Sequence, residues 1–280
     1  MKTFRDKTAA ITGAGSGIGR GLAVELARRG CHLALSDING DNVEATAVQV
    51  ASDFPKLRIT TRELDVANRE AVQDWSDQVV ADHGSVNMIF NNAGVALGTT
   101  IEGASYEDLE WIVNINFWGV VYGTKAFLPH LRTSGDGHVI NISSVFGLIG
   151  VPSQGAYNAT KFAVRGFTEA LRQELAIDRA PVSATSVHPG GIKTNIARSA
   201  RYSDSLKDKM SLDEQKGKAL IERLFITTPN SAARTILRGV KRDSRRVLIG
   251  PDAYAIDAMA RLLPTGYQRL LEAGSRLATR

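Results

Sequence analysis

The fold class that the sequence predicts is α/β: one doubly wound domain of about seven parallel strands, in the order 3-2-1-4-5-6-7, with helices on both faces of the sheet. Three observations predict it. Short apolar runs alternate along the chain with longer stretches of helical periodicity. A glycine-rich loop joins the first apolar run to the first of those helices. The glycine and polar exceptions to the pattern gather at the ends of the apolar runs, where sheets of this kind hold their ligands. The length of 280 residues suits a single large domain, and a hydrophobic content of 43% is ordinary for a chain with a sizeable core.

Lys7–Thr12 (KTAAIT) reads as a buried strand. Gly13, Ala14, Gly15, Ser16, Gly17, Ile18 and Gly19 follow. A helix over Arg20–Arg29 comes next, with Leu22, Ala23 and Leu26 at helical spacing and Gly30 as its stop. Glycines let the backbone turn tightly and approach a pyrophosphate, and the helix N-terminus adds free N–H groups and a positive dipole end. In that setting the loop points to a dinucleotide site rather than a linker. The next strand, His32–Ser36, ends at Asp37. Its distance from the loop matches the spacing at which a carboxylate accepts the ribose hydroxyls of NAD and repels the 2′-phosphate of NADP. No Lys or Arg follows within Ile38-Asn39-Gly40, and the loop carries Ser16 rather than a basic residue, so NAD is expected over NADP. The alternative reading of Asp37 is a cap for the helix beginning near Asp41.

A helix over Asp41–Phe54 is closed by Pro55, and Leu57–Leu64 reads as a strand with Asp65 and Val66 at its end, placed to touch an adenine edge. Asn68–His83 is helical with Gly84 as its stop, and the strand Val86–Asn91 runs into Asn92, Ala93 and Gly94. Ser105 caps a long helix to about Leu131, bent or ended by Pro129. Its apolar positions are too broad for one narrow face, so much of it is expected to be buried. Asn114 and Asn116 lie in that apolar setting, and a buried amide needs partners. His138–Ile142 is a strand leading to Ser143 and Ser144, Ser153–Ile177 a helix, and Val182–Val187 a strand ending in His188, Pro189, Gly190, Gly191, Ile192, Lys193 and Thr194. Residues 191–227 are expected to form a flap over the substrate, with a mobile helical part across Arg198–Phe225. Pro229–Arg242, Asp252–Leu263 and Gly266–Leu277 read as helices and Arg246–Ile249 as a strand, residues 251–280 being a C-terminal helical extension.

Composition excludes several classes. No apolar run approaches the ~18 residues that span a bilayer. The opening MKTFRDKTAAITG has no long apolar region followed by a cleavage site, so a cytoplasmic location is expected. The single cysteine, Cys31, reads as a small core residue, and the five histidines (32, 83, 130, 138 and 188) have no ligand spacing, so no metal is expected. The net charge of +5 is uneven: residues 198–280 hold 17 Lys/Arg against 9 Asp/Glu. These charges are interleaved and read as a solvated face rather than a nucleic-acid surface. An alternative is lipid-surface association through the C-terminal helices, with Leu262, Leu263 and Tyr267 as contacts.

Tyr157 and Lys161 lie four apart and share one helix face. That geometry can put an ammonium beside a phenol and draw its pKa toward the working range. Ser144, off a strand end, could add a second hydroxyl. Taken alone, the pair reads more readily as two unrelated groups on a surface helix. Its weight comes from the convergence of the glycine loop, Asp37, Asp65, the segment Asn91–Gly94, Ser144 and the segment Pro189–Thr194 at strand ends or on the helices that follow.

Over roughly residues 5–250 the chain resembles the short-chain dehydrogenase/reductase family, a Rossmann-type fold. Thr12 to Gly19 match its TGxxxGxG loop, Asn91-Asn92-Ala93-Gly94 its NNAG motif, and Ser144, Tyr157 and Lys161 its catalytic trio. Pro189, Gly190 and Thr194 resemble its PGxxxT segment, and Asn116 its catalytic asparagine, with Asn114 the near miss. The resemblance implies that Tyr157 is the general acid/base and that Lys161 lowers its pKa and binds the nicotinamide ribose. It implies that Ser144 donates to the substrate oxygen, that Asn116 holds a water linking Lys161 to solvent, and that Thr194 and the backbone near Ile192 orient the carboxamide. His188 is given no direct catalytic role. A homo-oligomer, dimer or tetramer, follows from the family.

Val145, Phe146, Leu148, Ile149, Val151 and Gln154, between Ser144 and Tyr157, and Val95, Ala96 and Leu97 after Gly94, are placed on the substrate side. They are mostly apolar, so the expected substrate is a neutral, apolar secondary alcohol or ketone handled by an NAD-dependent oxidoreductase. The alternatives are an NADPH-dependent ketoreductase of the acyl-carrier type and a non-catalytic nucleotide-sensing protein.

Overall fold

A computed structural model describes residues 1–194, 196, 199–203 and 227–278. Its central strand, β1 (Thr8–Thr12), is buried along its whole length. It pairs in parallel with β2 (His32–Asp37) on one side and β4 (Met88–Asn91) on the other. β3 (Ile59–Glu63) lies outside β2; β6 (Gly137–Ile142), β7 (Val182–Pro189) and β9 (Arg246–Ile249) extend the sheet beyond β4. The order β3-β2-β1-β4-β6-β7-β9 is the expected seven-strand order. The chain reverses direction across the sheet between β1 and β4, which opens a crevice at their C-terminal ends.

The sheet's period of two sorts its side chains into two cores. Ile11, Leu33, Leu35 and Phe90 face α1 (Gly17–Ala27), α2 (Gly40–Asp53) and α7 (Pro229–Lys241). Ala10, Ala34, Ile89 and Val139 face α3 (Arg69–His83), α5 (Gly119–Thr133) and α6 (Gly155–Ile177), where Trp75, Phe127, Leu131 and Leu171 pack. Asn39 and Asn68 cap α2 and α3, and Gly84 at φ +78 ends α3. β3 is the shortened, largely exposed edge: Thr61, Arg62 and Glu63 face water, in keeping with a protected sheet edge.

The long helix expected from Ser105 is three pieces. Ser105 Oγ accepts from Asp108 N at 3.1 Å and starts α4 (Tyr106–Val113). Asn114–Trp118 is a π-helical turn, in which Gly119 N bonds back to the Asn114 carbonyl, and α5 then continues. Pro129 does not end α5. Lys125, whose carbonyl loses its helical partner there, is exposed, and water can satisfy it. A small parallel pair, β5 (Leu97–Gly98) with β8 (Arg201–Tyr202), lies outside the main sheet. Residues 201–202, expected to be helical, are therefore extended, because they pair with an open backbone edge. The Arg201 guanidinium stacks 3.7 Å from the Trp111 ring centroid and pairs with Asp108 at 3.5 Å. Of the expected flap, residues 195, 197, 198 and 204–226 lie outside the described residues. α8 (Pro251–Leu262) and α9 (Gly266–Ala278) close the chain. Among the described residues no helix is long and apolar enough to cross a membrane.

Two fully buried histidines set an expected acid limit. His138 on β6 meets Thr185 Oγ1 at 2.8 Å, and His188 sits near the end of β7; burial pushes both rings down to about 4. Their folded pKa values lie below the unfolded one, so between about pH 6.5 and 4 the unfolded chain holds more protons, and stability falls as pH is lowered through that window. Each ring contributes on the order of 3 kcal/mol. Thermal unfolding followed by circular dichroism is expected to give a melting temperature at least about 10 °C lower at pH 4.5 than at pH 7.

Candidate active site

The loop after β1 is shaped for close approach. Gly13 and Gly17 have φ of +64 and +50. A Cβ on Gly19 would stand 2.1 Å from the Gly13 carbonyl oxygen, and one on Gly17 would stand 3.2 Å from Thr194 Cγ2, so the end of the Pro189–Thr194 turn faces the loop. Ser16 makes no side-chain cap to α1, whose first N–H groups are left for a ligand. Asp37 accepts from Gly15 N at 2.9 Å and Asn39 N at 3.0 Å. Arg20 is drawn onto the Gly15 carbonyl and onto Thr46 Oγ1 at 3.0 Å. Thus the carboxylate faces the crevice beside a basic group that is already engaged.

Thr12 ties the second motif to the first. Its hydroxyl accepts from Asn92 N and Ala93 N, both at 3.0 Å, while the Asn92 side chain donates to the Thr12 carbonyl at 2.9 Å. Asn91 donates to Asn141 at 2.8 Å and Thr124 at 3.1 Å, a buried polar link between β4, β6 and α5. The π-helical turn points Asn116 inward. Its side chain accepts from Val95 N at 2.8 Å and donates to Val95 O at 2.9 Å, so it fixes the turn after Gly94. Asp65 is exposed and caps its own turn, accepting from Ala67 N, with Val66 buried beside it. Pro189, Gly190 and Ile192 run along the far side, where Asp252, unforeseen in the sequence, accepts from Gly191 N at 2.6 Å.

α6 brings Tyr157 and Lys161 together as the spacing requires, with the ammonium 5.5 Å from the phenol ring centroid. Lys161 is buried and donates to the Ile142 carbonyl at 3.2 Å. Burial lowers it to about 8. Tyr157 keeps part of its surface open. Here the expectation needs correction: burial pushes the phenol up to about 12, and the group working against burial is the Ser144 hydroxyl rather than the lysine. Ser144 Oγ accepts from Phe146 N at 3.1 Å, which leaves its hydrogen to point at Tyr157. The site thus joins a phenol held protonated by burial, a buried cation and a donor hydroxyl beside the C-terminal end of β6.

Of the substrate-side residues, Phe146 stacks edge-on to Tyr157 at 6.0 Å and Gln154 starts α6 beside Thr99, both partly open. Val145, Leu148, Ile149 and Leu97 are buried: Val145 and Leu148 pack on Leu248 of β9 and Ala253 of α8, and Leu97 packs with Ile112 and Ala156. Tyr267, offered by the sequence as a lipid contact, is buried instead, and its hydroxyl accepts from Gly150 N at 3.0 Å. Its sequence signal was slight, a lone aromatic after Pro264. Tyr267→Phe strands that N–H and is expected to cost about 1–2 kcal/mol, measured by urea unfolding.

The chain matches the family model for short chain dehydrogenase over residues 7–204. It is 50% identical over 274 residues, 98% of this chain and 97% of the relative, to a Mycobacterium tuberculosis protein provisionally named oxidoreductase SadH. It is 34% identical to 3-ketodihydrosphingosine reductase of Bacteroides thetaiotaomicron, over 74% of this chain and 68% of that one. Its fold is similar to a Burkholderia phymatum short chain dehydrogenase/reductase in complex with NAD, at a TM-score of 0.84 and 27% identity, covering 93% of this chain and 95% of that one.

Proposed function

Because this chain belongs to the short chain dehydrogenase family and is an oxidoreductase with a nicotinamide-binding fold, we propose that it transfers a hydride between NAD and a neutral, largely apolar secondary alcohol or ketone. The observation that carries this reading is the meeting of Ser144, Tyr157 and Lys161 at the open end of the groove, beside Asn116. The nicotinamide, when bound, takes up or gives the hydride. In the oxidation direction Tyr157 removes the hydroxyl proton of the substrate at its phenol oxygen, and in reduction it returns one. Ser144 has one hydroxyl hydrogen: it points at the phenol in the free site, and it turns to the substrate oxygen when substrate is bound, favouring the charged form of whichever it meets. Lys161 holds a positive charge beside the phenol and would bind the nicotinamide ribose. Asp37 supports NAD over NADP, since its carboxylate would stand against a 2′-phosphate.

Phe146 against the Tyr157 ring and Val95 in the same apolar cluster support an apolar substrate, and so does the keto compound in the name of the Bacteroides relative. The test is a panel of secondary alcohols, from 2-butanol to 2-octanol and cyclohexanol, offered with NAD and followed by nicotinamide absorbance. Turnover rising with chain length is the expected result; a preference for charged alcohols would overturn the substrate reading. A second copy of the chain is proposed to cover α5 and α6, where Trp118, Phe162 and Ile177 are exposed. A monomer by light scattering would overturn that.

A further inference from the structure

The loop that carries Ser144 leaves the sheet where its backbone ladder stops. Ser143 N bonds to the Val187 carbonyl at 2.8 Å, the last link between the two strands. Pro189, two residues on in β7, has no N–H to continue it. At that break the fully buried His188 side chain reaches across. Its Nδ1 lies 3.0 Å from the Ser144 carbonyl oxygen and its Nε2 lies 3.0 Å from Ser186 Oγ. A carbonyl cannot donate, so Nδ1 carries the hydrogen and Nε2 accepts from the Ser186 hydroxyl, which fixes one neutral tautomer.

We propose that His188 is a positioning residue for Ser144: its ring holds the Ser144 carbonyl and so sets where the Ser144 hydroxyl points. The Ser144 carbonyl has a second donor, Gly147 N at 3.0 Å, and the Ser144 Oγ accepts from Phe146 N at 3.1 Å. Both of those partners lie on the same short turn and move with it. The histidine adds a hydrogen-bond tie from the Ser144 carbonyl to β7, beside the packing of Val145 and Leu148 on Leu248 of β9. Burial keeps the ring neutral, its pKa being pushed down to about 4; Arg165 from α6 and Arg246 from β9 add to that push, while the hydrogen bond to Ser144 and Glu169 on α6 oppose it. A neutral ring keeps an acceptor for Ser186 and a single donor for Ser144 across the working pH range.

This inference rests on Ser144 as the hydroxyl that meets the substrate oxygen, and the experiment separates the two. With 2-octanol and NAD, His188→Leu is expected to lower kcat by about tenfold to hundredfold, as misplacement of a contacting group does. The rising limb of kcat with pH should move to higher pH, because a strayed Ser144 hydroxyl no longer lowers the Tyr157 phenol. His188→Asn, whose amide nitrogen can stand where Nδ1 stands, should return kcat to within about threefold of the native value. In a Ser144→Ala background His188→Leu should add little, since its effect passes through Ser144. A full further loss in that background, or equal losses in the Leu and Asn variants with lowered melting temperatures, would overturn the proposal. Long-range proton–nitrogen spectra of histidine-labelled protein, assigned with His188→Asn, give a readout without substrate. A neutral Nδ1–H ring from about pH 5.5 to about 8 is expected, and an Nε2–H or charged ring overturns the tie. If the native chain turned over none of the alcohols, the substrate reading would fall while the spectra still decided the role of His188.

Discussion

Tyr157→Phe is expected to lower kcat for every accepted alcohol by about a thousandfold or more, the range of general acid–base catalysis. The ring stays, and with it the contact with Phe146 and the packing of α6. Only the atom that moves the proton is lost. NAD binding, read by quenching of the chain's tryptophan fluorescence, should change little, because the glycine loop, Asp37 and Lys161 are untouched. The native pH profile follows from the same group. The phenol must lose its proton to act as base, and burial holds that proton tightly, so oxidation should speed up as pH rises and reduction as it falls. A phenylalanine variant with native turnover would end the proposal that this site performs the chemistry.

Asp37→Ser is expected to shift the ratio of kcat/KM for NADP to that for NAD upward by about a hundredfold, the equivalent of removing a like-charge contact of a few kcal/mol. The serine keeps a hydroxyl for the ribose but drops the charge that opposes a 2′-phosphate. Part of the effect will appear as weaker NAD binding, since the Gly15 N–H loses the acceptor that holds the loop. Steady-state rates with both cofactors on one alcohol measure it. If the native protein already prefers NADP by more than about tenfold, the cofactor assignment is wrong.

Much of this was legible in the residues. Parallel sheets buried on both faces produce short apolar runs with glycine or polar endings, and those endings marked the site: the glycine loop, Asp37, the Asn92 turn, Ser144 and the Pro189 turn. Tyr157 and Lys161 were legible as a pair because helix periodicity alone sets their neighbourhood. What stayed hidden depends on distant packing. The carboxylate of Asp252 on Gly191 and the Tyr267 hydroxyl on Gly150 join segments far apart in sequence, and no local pattern announces such contacts. The pairing of β5 with β8 is two residues long, too short for any periodicity. The pKa of Tyr157 was misjudged for the same reason: sequence shows a neighbouring lysine, while burial is a property of the whole fold.

The π-helical turn at Asn114–Trp118 has a consequence for how this chain can vary. One residue more than an α-helix would hold is wound into that turn, so its extra ~100° is absorbed locally and α4 and α5 keep the faces they would have in one unbroken helix. Removing a single residue there would let α4 and α5 fuse into one regular rod with the faces on both sides kept, whereas removing one elsewhere in α4 or α5 would turn everything beyond it by about 100°. Deletion at the turn would cost the bulge that brings Asn116 to Val95, while the apolar positions of α5 would stay on the core. A one-residue change of length at this turn is therefore a local event, felt at Asn116 and not along the whole of α5.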